Sequence, residues 1–428
     1  SDLEQETYST LESELLIEGW NAEIVVTTFI QFFYSLLGSR ASQLRKLHNI
    51  AGSIVILDEV QSLPAEWWQL IRETIKFLAD KFNMYFVLMT ATQPLIFKPD
   101  EIYELVDSHR EYFEKPRVTL KIDQAMEPLE LEQFKQRIID IITNAQGKSV
   151  MILLNTINSA KALYTFLNER GLPLEFLSAE VLPRERLERI KSIKNMLKEG
   201  RQLVLVTTQV VEAGVDIDFQ LVVRDMGPVD SIIQAAGRCN RNGLSSNFDS
   251  IVWVIEGGDQ GRAFSRRIYG NYLIEKSKET LSEWKSWPNM NFGTLAKIYY
   301  EKVVSGLSEV SSTEVLNALK ELKYDGLQEF KIIEEQPELS VFIEHDLEAK
   351  KVWTKYTEIV ESKEKGPKRR EEFLKIRNAL YRYVINVPIR YASNLEERLG
   401  FRYVPFDSLE LFYDSKTGFR REGNSAII

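Results

Sequence analysis

Short runs of β-branched residues alternate with helical patterns along the first part of the chain. Each run is bounded by polar or turn residues, which is typical of buried strands. The predicted strands are residues 24–28, 53–57, 84–90, 149–154, 174–177, 202–207, 220–224 and 251–255. Apolar residues at helical spacing predict helices at residues 64–82, with Pro64 in the first turn, and at residues 157–170 and 183–199. This alternation predicts parallel sheets that helices cover on both faces.

The same pattern divides the chain into three parts. A polar stretch near residue 115 separates two runs of alternating strands and helices, and longer helical segments follow from about residue 257. We therefore predict an α/β protein with parallel-sheet domains at residues 1–115 and 116–257 and a mixed, mostly helical part at residues 258–428. The charged string from Lys363 to Arg370 is typical of a solvated loop or of the approach to a helix.

Composition narrows the class of protein. With 428 residues, 44% of them hydrophobic, the chain is long enough for several domain cores. It has no apolar run of membrane-spanning length and no signal-peptide pattern, so we expect no membrane partner. The single cysteine, Cys239, excludes an internal disulfide and favours a cytoplasmic location. The formal charge of −9 argues against a protein that coats nucleic acid, but it leaves room for a local basic groove.

Two carboxylates directly follow the predicted strand at residues 53–57. Ligands of open parallel sheets bind just past the carboxyl ends of the strands, which places Asp58 and Glu59 at such a site. An aspartate there can hold a Mg²⁺ that bridges nucleotide phosphates, and an adjacent glutamate can orient and deprotonate a water molecule. A strand that simply ends in a solvated acidic turn is the alternative.

Two threonines end the next predicted strand. Thr90 and Thr92 bring hydroxyl groups to the same edge of the sheet, where they could link Asp58 or Gln61 to a nucleic-acid site. A helix cap or a Ser/Thr turn is the more ordinary use of such residues, and this string by itself favours it.

A glutamine and two arginines recur at helical spacing. Gln234, Arg238 and Arg241 are four and three positions apart, so we expect them to share one face of a helix entered near Asp230. Planar guanidinium groups suit the charge that develops on a γ-phosphoryl group. An exposed helix that ends near Gly243 is the alternative.

A polar loop precedes that helix. It begins with Thr207 and Thr208 and continues through Gly214, Asp216 and Asp218. The hydroxyls and carboxylates suit a loop that senses a backbone phosphate together with a ribose or Arg238. A turn with only a structural role before the strand at residues 220–224 is the alternative.

These strings, in this order, resemble the helicase core of superfamily 2, and they are most similar to the CRISPR-associated helicase-nuclease of type I systems. The strings are Val26-Thr27-Thr28, residues 57–64, residues 89–93, Leu154-Asn155-Thr156, residues 208–218, residues 234–243 and the tail at residues 413–419. The resemblance implies two RecA-like domains, the first incomplete at its N-terminus. It also implies a cytoplasmic, ATP-dependent translocase of single-stranded DNA that acts in antiviral defence with a crRNA-guided surveillance complex.

The resemblance also implies roles for individual residues. Asp58 would bind Mg²⁺, Glu59 would activate water for ATP hydrolysis, and Gln61, Thr90 and Thr92 would couple hydrolysis to strand movement. Arginine fingers, their partner and the coupling loop would be supplied by Arg238, Arg241, Gln234, Gly214 and Asp216. Contacts with the DNA backbone would be made by Thr27, Thr28, Asn155, Thr156, Thr207 and Thr208.

Two features depart from the family. Its phosphate-binding (Walker A) loop is not found upstream of Asp58, and the string Gly147-Lys148-Ser149 leads into a strand instead of opening a helix. The three histidines, His48, His109 and His345, are isolated and do not form the metal cluster of a nuclease. The chain also lacks an initiating methionine. We therefore expect the Walker A segment and the nuclease domain on preceding sequence or another chain, and no ATPase activity from these residues alone.

Other interpretations stay open. Single-stranded DNA could stack along Arg377, Tyr381, Arg382, Tyr383, Arg390 and Tyr391, although a small core around a strand at residues 384–389 is the favoured explanation of those aromatics. A non-catalytic fragment that binds DNA or the guide complex is one alternative function. An RNA helicase of the same superfamily is another, because the motifs do not read the sugar.

Overall fold

The computed structural model describes residues 16–38, 43, 45–106, 117–123, 128–212, 214–243, 250–286, 291–332, 337–364 and 366–421. The chain forms two compact units, one with residues 1–105, 300–336 and 359–377 and the other with residues 106–299, 337–358 and 378–428. Within the described residues, no helix is both long and apolar enough to cross a membrane.

The strands, in chain order, are β1 (Ile54–Asp58), β2 (Tyr85–Met89), β3 (Thr119–Ile122), β4 (Leu129–Glu130), β5 (Val150–Leu153), β6 (Leu174–Leu177), β7 (Val204–Thr207), β8 (Leu221–Asp225), β9 (Ile251–Ile255), β10 (Gly257–Asp259), β11 (Arg262–Ala263), β12 (Glu338–Ile343), β13 (Val384–Pro388), β14 (Glu397–Arg398), β15 (Phe401–Val404), β16 (Tyr413–Asp414) and β17 (Gly418–Phe419).

The helices, in chain order, are α1 (Phe29–Leu37), α2 (Leu47–Ile50), α3 (Trp68–Phe82), α4 (Leu131–Asn144), α5 (Ile157–Asn168), α6 (Pro183–Lys198), α7 (Val229–Ala236), α8 (Phe264–Ser286), α9 (Phe292–Ser305), α10 (Val310–Lys320), α11 (Leu347–Glu361), α12 (Pro367–Tyr381), α13 (Ile389–Ala392) and α14 (Leu409–Phe412).

In the first unit, β1 and β2 pair in parallel, with Asp58 opposite Met89 at their carboxyl ends. The helix between them, α3, buries Leu70 and Ile71 on its apolar side, as its sequence pattern predicts. A short 3₁₀ turn separates Pro64 from α3, so the proline precedes the helix instead of occupying its first turn.

The strand predicted at residues 24–28 is wrong. These residues pair with no strand, and Ile24 and Val26 are 86% and 95% exposed. Thr28 instead caps α1, and its hydroxyl oxygen accepts a hydrogen bond from the Gln31 amide at 3.3 Å. A β-branched run becomes a strand only where a neighbouring strand satisfies its backbone groups.

The second unit contains a six-stranded sheet in the order β3-β9-β8-β5-β7-β6, and every pairing is parallel. Its central strands β5, β7 and β8 are buried at every position. Phe134 and Ile138 of α4 and Leu163 of α5 share one core with the strands. The predicted α/β fold with a parallel sheet is confirmed, and strands β5 to β9 coincide with the predicted ones to within a few residues.

A smaller mixed sheet, in the order β13-β12-β15-β14, follows in the second unit. Trp353 of α11 packs on Phe342 of β12, with ring centroids 4.6 Å apart. Tyr383 is buried beside the predicted strand that becomes β13, which supports the small-core explanation for that tyrosine, whereas Tyr381 is 48% exposed. The charged string at residues 363–370 leads into α12, which begins at Pro367.

Candidate functional site

The acidic pair lies at the carboxyl end of β1, as the sequence predicts. Asp58 is the last residue of the strand and is exposed, and its Oδ1 accepts a hydrogen bond from the Glu59 amide at 3.0 Å. Glu59 has a left-handed backbone (φ 56°), which costs a non-glycine residue about 1 kcal/mol or more. The chain then turns into the 3₁₀ helix Val60–Ser62. Carboxylates at a strand end are ligands that Mg²⁺ accepts together with phosphate oxygens and waters.

A buried glutamine connects this acidic pair to the next strand. The side chain of Gln61 donates a hydrogen bond to the Glu59 carboxylate through its amide nitrogen and accepts one from the Thr90 hydroxyl through its amide oxygen. The Thr90 oxygen in turn accepts from the Thr92 amide at 3.2 Å. The hydroxyl of Thr92 lies 3.1 Å from that of Tyr300 in α9. The structure therefore brings together the residues predicted from two separate strings.

The arginine string does not lie on one helix face, and that prediction is wrong. Helix α7 contains Gln234 but ends at Ala236, and the amide of Gly237 closes it on the Ile233 carbonyl at 2.9 Å. Glycine is a poor helix former, which outweighs the favourable spacing of the side chains. Arg238 and Arg241 follow in turns beyond the helix.

Both arginines instead contact the loop that follows β7. Arg238 donates through Nη2 to the Glu212 carbonyl at 2.6 Å and through Nε to the Val211 carbonyl at 3.4 Å. The Nε of Arg241 lies 3.1 Å from Oδ1 of Asp216, and these side chains are 42% and 74% exposed. The predicted association of the loop with Arg238 is therefore present in the geometry.

The turn of that loop depends on a glycine and an aspartate. Gly214 has a left-handed backbone (φ 73°), the conformation that glycine adopts most readily. The carboxylate of Asp218 accepts hydrogen bonds from the amides of Arg241 and Asn242 at 2.8 and 3.1 Å. The loop is thus fastened at its far end to the arginine string.

The predicted DNA-contacting residues differ in accessibility. Thr27 and Thr28 are exposed, and Thr156 is half-buried at the start of α5, where its oxygen accepts from the Ser159 amide at 3.1 Å. The side chains of Asn155, Thr207 and Thr208 are buried. Thr207 donates to the Leu177 carbonyl at 3.0 Å.

A fully buried arginine, which the sequence analysis missed, lies beside Asn155. Arg224 of β8 donates through Nη1 to Oδ1 of Asn155 at 2.6 Å, and through Nη2 to the hydroxyls of Ser231 and Tyr269, each at 2.8 Å. Its Nη2 is also 3.0 Å from the Glu212 carboxylate. An Arg-Asp pair at the end of an apolar strand was the available signal, analogous to the acidic end of β1.

The neighbouring carboxylate completes this buried network. Asp225 accepts from Nδ2 of Asn155 at 2.7 Å and from the Gly257 amide at 2.9 Å. Burial raises the pKa of Asp225 to about 7, although the Gly257 hydrogen bond and the charge of Arg224 oppose that shift. Asn155 is therefore held from both sides by the residues that end β8.

The Gly147-Lys148-Ser149 string and His345 lie where they have structural roles. Gly147 has φ 84° in the turn that enters β5, as expected of a turn before a strand. His345 contacts Glu185, with Nε2 2.9 Å from its carboxylate, and His109 lies outside the described residues. In the part of the chain that the structure describes, no group of three or more histidine, cysteine or acidic side chains is placed to hold a metal ion.

The all-parallel sheet with polar residues at its strand ends, and the acidic strand end that is hydrogen-bonded through Gln61 to a threonine, place the chain in the class of α/β proteins with RecA-like parallel sheets. A family model described as "CRISPR-associated nuclease/helicase Cas3, C-terminal" matches residues 146–244. The CRISPR-associated nuclease/helicase Cas3 of Haloferax volcanii is 28% identical in an alignment that covers 58% of this chain and 36% of that protein. The predicted resemblance is thus confirmed, and the chain is related to the Cas3 family.

Solved structures agree with the fold. The crystal structure of T. fusca Cas3 with AMPPNP has a TM-score of 0.62 at 19% identity, covering 90% of this chain and 54% of that one. A chain of a CRISPR RNA-guided surveillance complex, pre-nicking, has a TM-score of 0.61 at 19% identity, covering 89% and 55%. The chain therefore spans about half of those chains, and only 36% of its H. volcanii relative.

Proposed function

We propose that the chain is the helicase part of a cytoplasmic Cas3-type protein, an ATP-dependent translocase of single-stranded DNA exposed by a crRNA-guided surveillance complex. The observation that carries the proposal is the hydrogen-bonded series Glu59, Gln61 and Thr90, which joins an acidic strand end to the next strand. A motor needs such a connection because ATP hydrolysis at one site must change the structure elsewhere in the molecule. The solved relative with AMPPNP supports ATP as the nucleotide.

The acidic end of β1 is proposed as the hydrolytic site. Asp58, exposed at the strand end, would hold Mg²⁺, which neutralises phosphate charge when bound. Glu59 would orient the attacking water and take its proton. Gln61 and Thr90 would report the state of Glu59 to the neighbouring strand, and Thr92 would extend that connection to Tyr300.

The loop and arginine string of the second unit are proposed to sense the nucleotide. Arg238 and Arg241 would stabilise negative charge on the γ-phosphoryl group, with Gln234 as their partner. Asp216, which now contacts Arg241, would release it when a phosphate competes for the guanidinium. Gly214 would supply the turn. The proposed domains are residues 1–115, 116–257 and 258–428, as the sequence pattern predicts.

DNA is proposed to be held through its backbone, because a motor must ignore base identity. The hydroxyls of Thr27, Thr28 and Thr156 are accessible for phosphate contacts. The three buried side chains, Asn155, Thr207 and Thr208, would act through the main-chain groups that they hold in place.

The test compares the chain with a polypeptide that also carries a Walker A segment and a nuclease domain. We expect ATP hydrolysis stimulated by single-stranded DNA from the longer polypeptide and none from the 428-residue chain. In the longer protein, Glu59→Gln and Arg238→Ala should each lower kcat by about 10²-fold or more. Lys148→Ala, in the string that leads into β5, is the matched control and should leave kcat unchanged.

Three outcomes would contradict the proposal in different ways. ATP hydrolysis by the chain alone would show that it needs no further segment. DNA binding without hydrolysis in the longer polypeptide would favour a non-catalytic binding fragment. Stimulation by RNA in place of DNA oligonucleotides would favour an RNA helicase.

A further inference from the structure

We propose that Arg224 is a positioning residue that transmits binding at the Asn155–Thr156 loop to Arg238. The inference rests on the proposed function of these two places, and it concerns a residue that none of the helicase strings contains. Arg224 would touch neither DNA nor nucleotide. It would act by fixing where the other side chains lie.

The contacts of Arg224 reach four separate segments of the second unit. Its guanidinium bonds Asn155 after β5, Glu212 in the loop after β7, Ser231 in α7 and Tyr269 in α8. A guanidinium presents several donors in one rigid plane, so it can hold partners in several directions at once. No other type of cationic side chain offers that geometry.

The contacts form a continuous route between the two proposed sites. Asn155 accepts from Arg224 at 2.6 Å, Arg224 lies 3.0 Å from the Glu212 carboxylate, and the Glu212 carbonyl accepts from Arg238 at 2.6 Å. A second contact links the loop after β7 to Asn155, because Nε2 of Gln209 in that loop is 3.3 Å from the Asn155 carbonyl oxygen. Movement of the Asn155–Thr156 loop must therefore displace Arg224 or pull the Arg238 loop with it.

Energetics make displacement of Arg224 alone unfavourable. The residue is fully buried, and although burial opposes its charged form, interactions with Tyr269, Glu212 and Asp225 raise its pKa. A buried charge that loses its partners is strongly destabilised. Space around it is also limited, since a Cβ at Gly227 would lie 3.2 Å from Nη2 of Arg224. Arg224 and its partners are therefore expected to move together.

The experiment uses the longer polypeptide, which also carries a Walker A segment and a nuclease domain, and it separates DNA binding from its transmission to Arg238. An oligo-dT strand is added, and three quantities are measured: its Kd, the ratio of DNA-stimulated to basal ATPase, and hydrogen exchange of the amides at residues 208–218. In the wild type we expect DNA to slow exchange in that segment. Arg224→Lys keeps the charge but loses the fork, so it should lower the ATPase ratio about tenfold and abolish the exchange response.

The Kd for oligo-dT should change less than about threefold in Arg224→Lys, because Asn155 keeps its hydrogen bonds to Asp225 and to the Met226 carbonyl, at 2.7 and 2.6 Å. Arg137→Lys is the matched control, since it makes the same substitution in the same unit at an arginine that pairs with Asp123 at 2.7 Å outside the route, and it should keep the wild-type ratio. If Arg224→Lys does not fold, Glu212→Gln breaks the ion pair with little change of shape and should show the same loss.

The outcomes distinguish this inference from the proposed function. A wild-type ATPase ratio and exchange response in Arg224→Lys or Glu212→Gln would overturn the role of Arg224. Absence of ATPase in the wild type would overturn the proposed motor, while the exchange response to DNA would still decide whether Arg224 transmits binding. If the wild type does not bind oligo-dT, both fail together.

Discussion

The amide oxygen of Gln61 accepts a hydrogen bond from the hydroxyl of Thr90. This contact joins the residues that follow two adjacent parallel strands, β1 and β2. The same hydroxyl lies 2.6 Å from the carbonyl of Thr92, and a threonine has only one proton to donate. Thr90 can therefore favour Gln61 or Thr92, which gives the hydrolytic site two alternative hydrogen-bond arrangements.

The first prediction concerns this contact in the longer polypeptide that also carries a Walker A segment and a nuclease domain. Gln61→Ala and Thr90→Val should each lower kcat for DNA-stimulated ATP hydrolysis about tenfold, and the double variant should be no slower than the slower single variant. The reason is that both changes remove the same hydrogen bond. Gln93→Ala, an exposed neighbour on the same loop, is the control. Losses that multiply in the double variant would show that the two residues act independently.

The strand-end residues could be predicted because parallel strands bring their carboxyl ends to one edge. That rule alone places Asp58 near Thr90, although their sequence strings are far apart. The backbone conformation of Glu59 and the burial of Gln61 could not be foreseen, since both depend on how the following 3₁₀ turn packs.

In the second unit, the arginine string departs from its predicted helix and Arg224 was not predicted, each for a physical reason. The spacing of Gln234 and Arg238 favoured a continuous helix, but α7 ends before Gly237. Arg224 was not predicted because its partners come from four segments that are distant in sequence. The Arg-Asp pair at the end of β8 does not identify those partners. Periodicity reports the face of one element, whereas a buried polar network depends on the packing of many.

A second prediction compares two glycines with similar backbones. Gly418 of the β16–β17 hairpin has φ 82°, and a Cβ there would lie 2.4 Å from the Glu180 carbonyl oxygen. Gly147 has φ 84°, with nothing within 4 Å of such a Cβ. Gly147→Ala should therefore cost only the backbone strain of about 1 kcal/mol, while Gly418→Ala should also undock the hairpin. Hydrogen exchange at residues 413–419 measures the difference, and equal effects would contradict the steric explanation.

A third prediction concerns the buried carboxylate under that hairpin. Glu180 is 2.8 Å from Nζ of Lys161 and 2.6 Å from Nη2 of Arg421, and burial lowers the pKa of Lys161 while Glu180 opposes the shift. Glu180→Ala should destabilise the second unit by about 3–5 kcal/mol, because it leaves two largely buried cations, Lys161 and Arg421, without their carboxylate. The double variant Lys161→Met with Glu180→Leu should recover the part of that loss that comes from Lys161, since Arg421 keeps its 2.8 Å hydrogen bond to Asn158. Urea unfolding followed by tryptophan fluorescence measures both, and an unimproved double variant would show that packing, not charge, is lost.

The last prediction rests on the charged groups around His345. Its Nε2 is 2.9 Å from Glu185, and its Nδ1 is 3.7 Å from Asp346. Tyr413 donates to the same Glu185 at 2.8 Å, and Arg184 lies 2.9 Å from Asp346. The hydrogen bond to Glu185 raises the pKa of His345, although burial opposes the shift. The histidine therefore links α6 to the segment after β12 most strongly when it is protonated.

The sign of the pH dependence follows from that raised pKa. Below about pH 6.5, the ordinary pKa of histidine, both the folded and the unfolded chain carry the proton, and the stabilisation by Glu185 is fully present. As pH rises through the folded-state pKa of His345, the stabilisation is lost. The melting temperature of the wild type should therefore fall relative to that of His345→Gln between pH 6 and pH 8.5. The titration of Glu185 does not contribute to this difference in melting temperature, because its lowered pKa affects stability only at acidic pH. If the melting temperatures of the two proteins change with pH in the same way over this range, the Glu185 contact does not stabilise the fold.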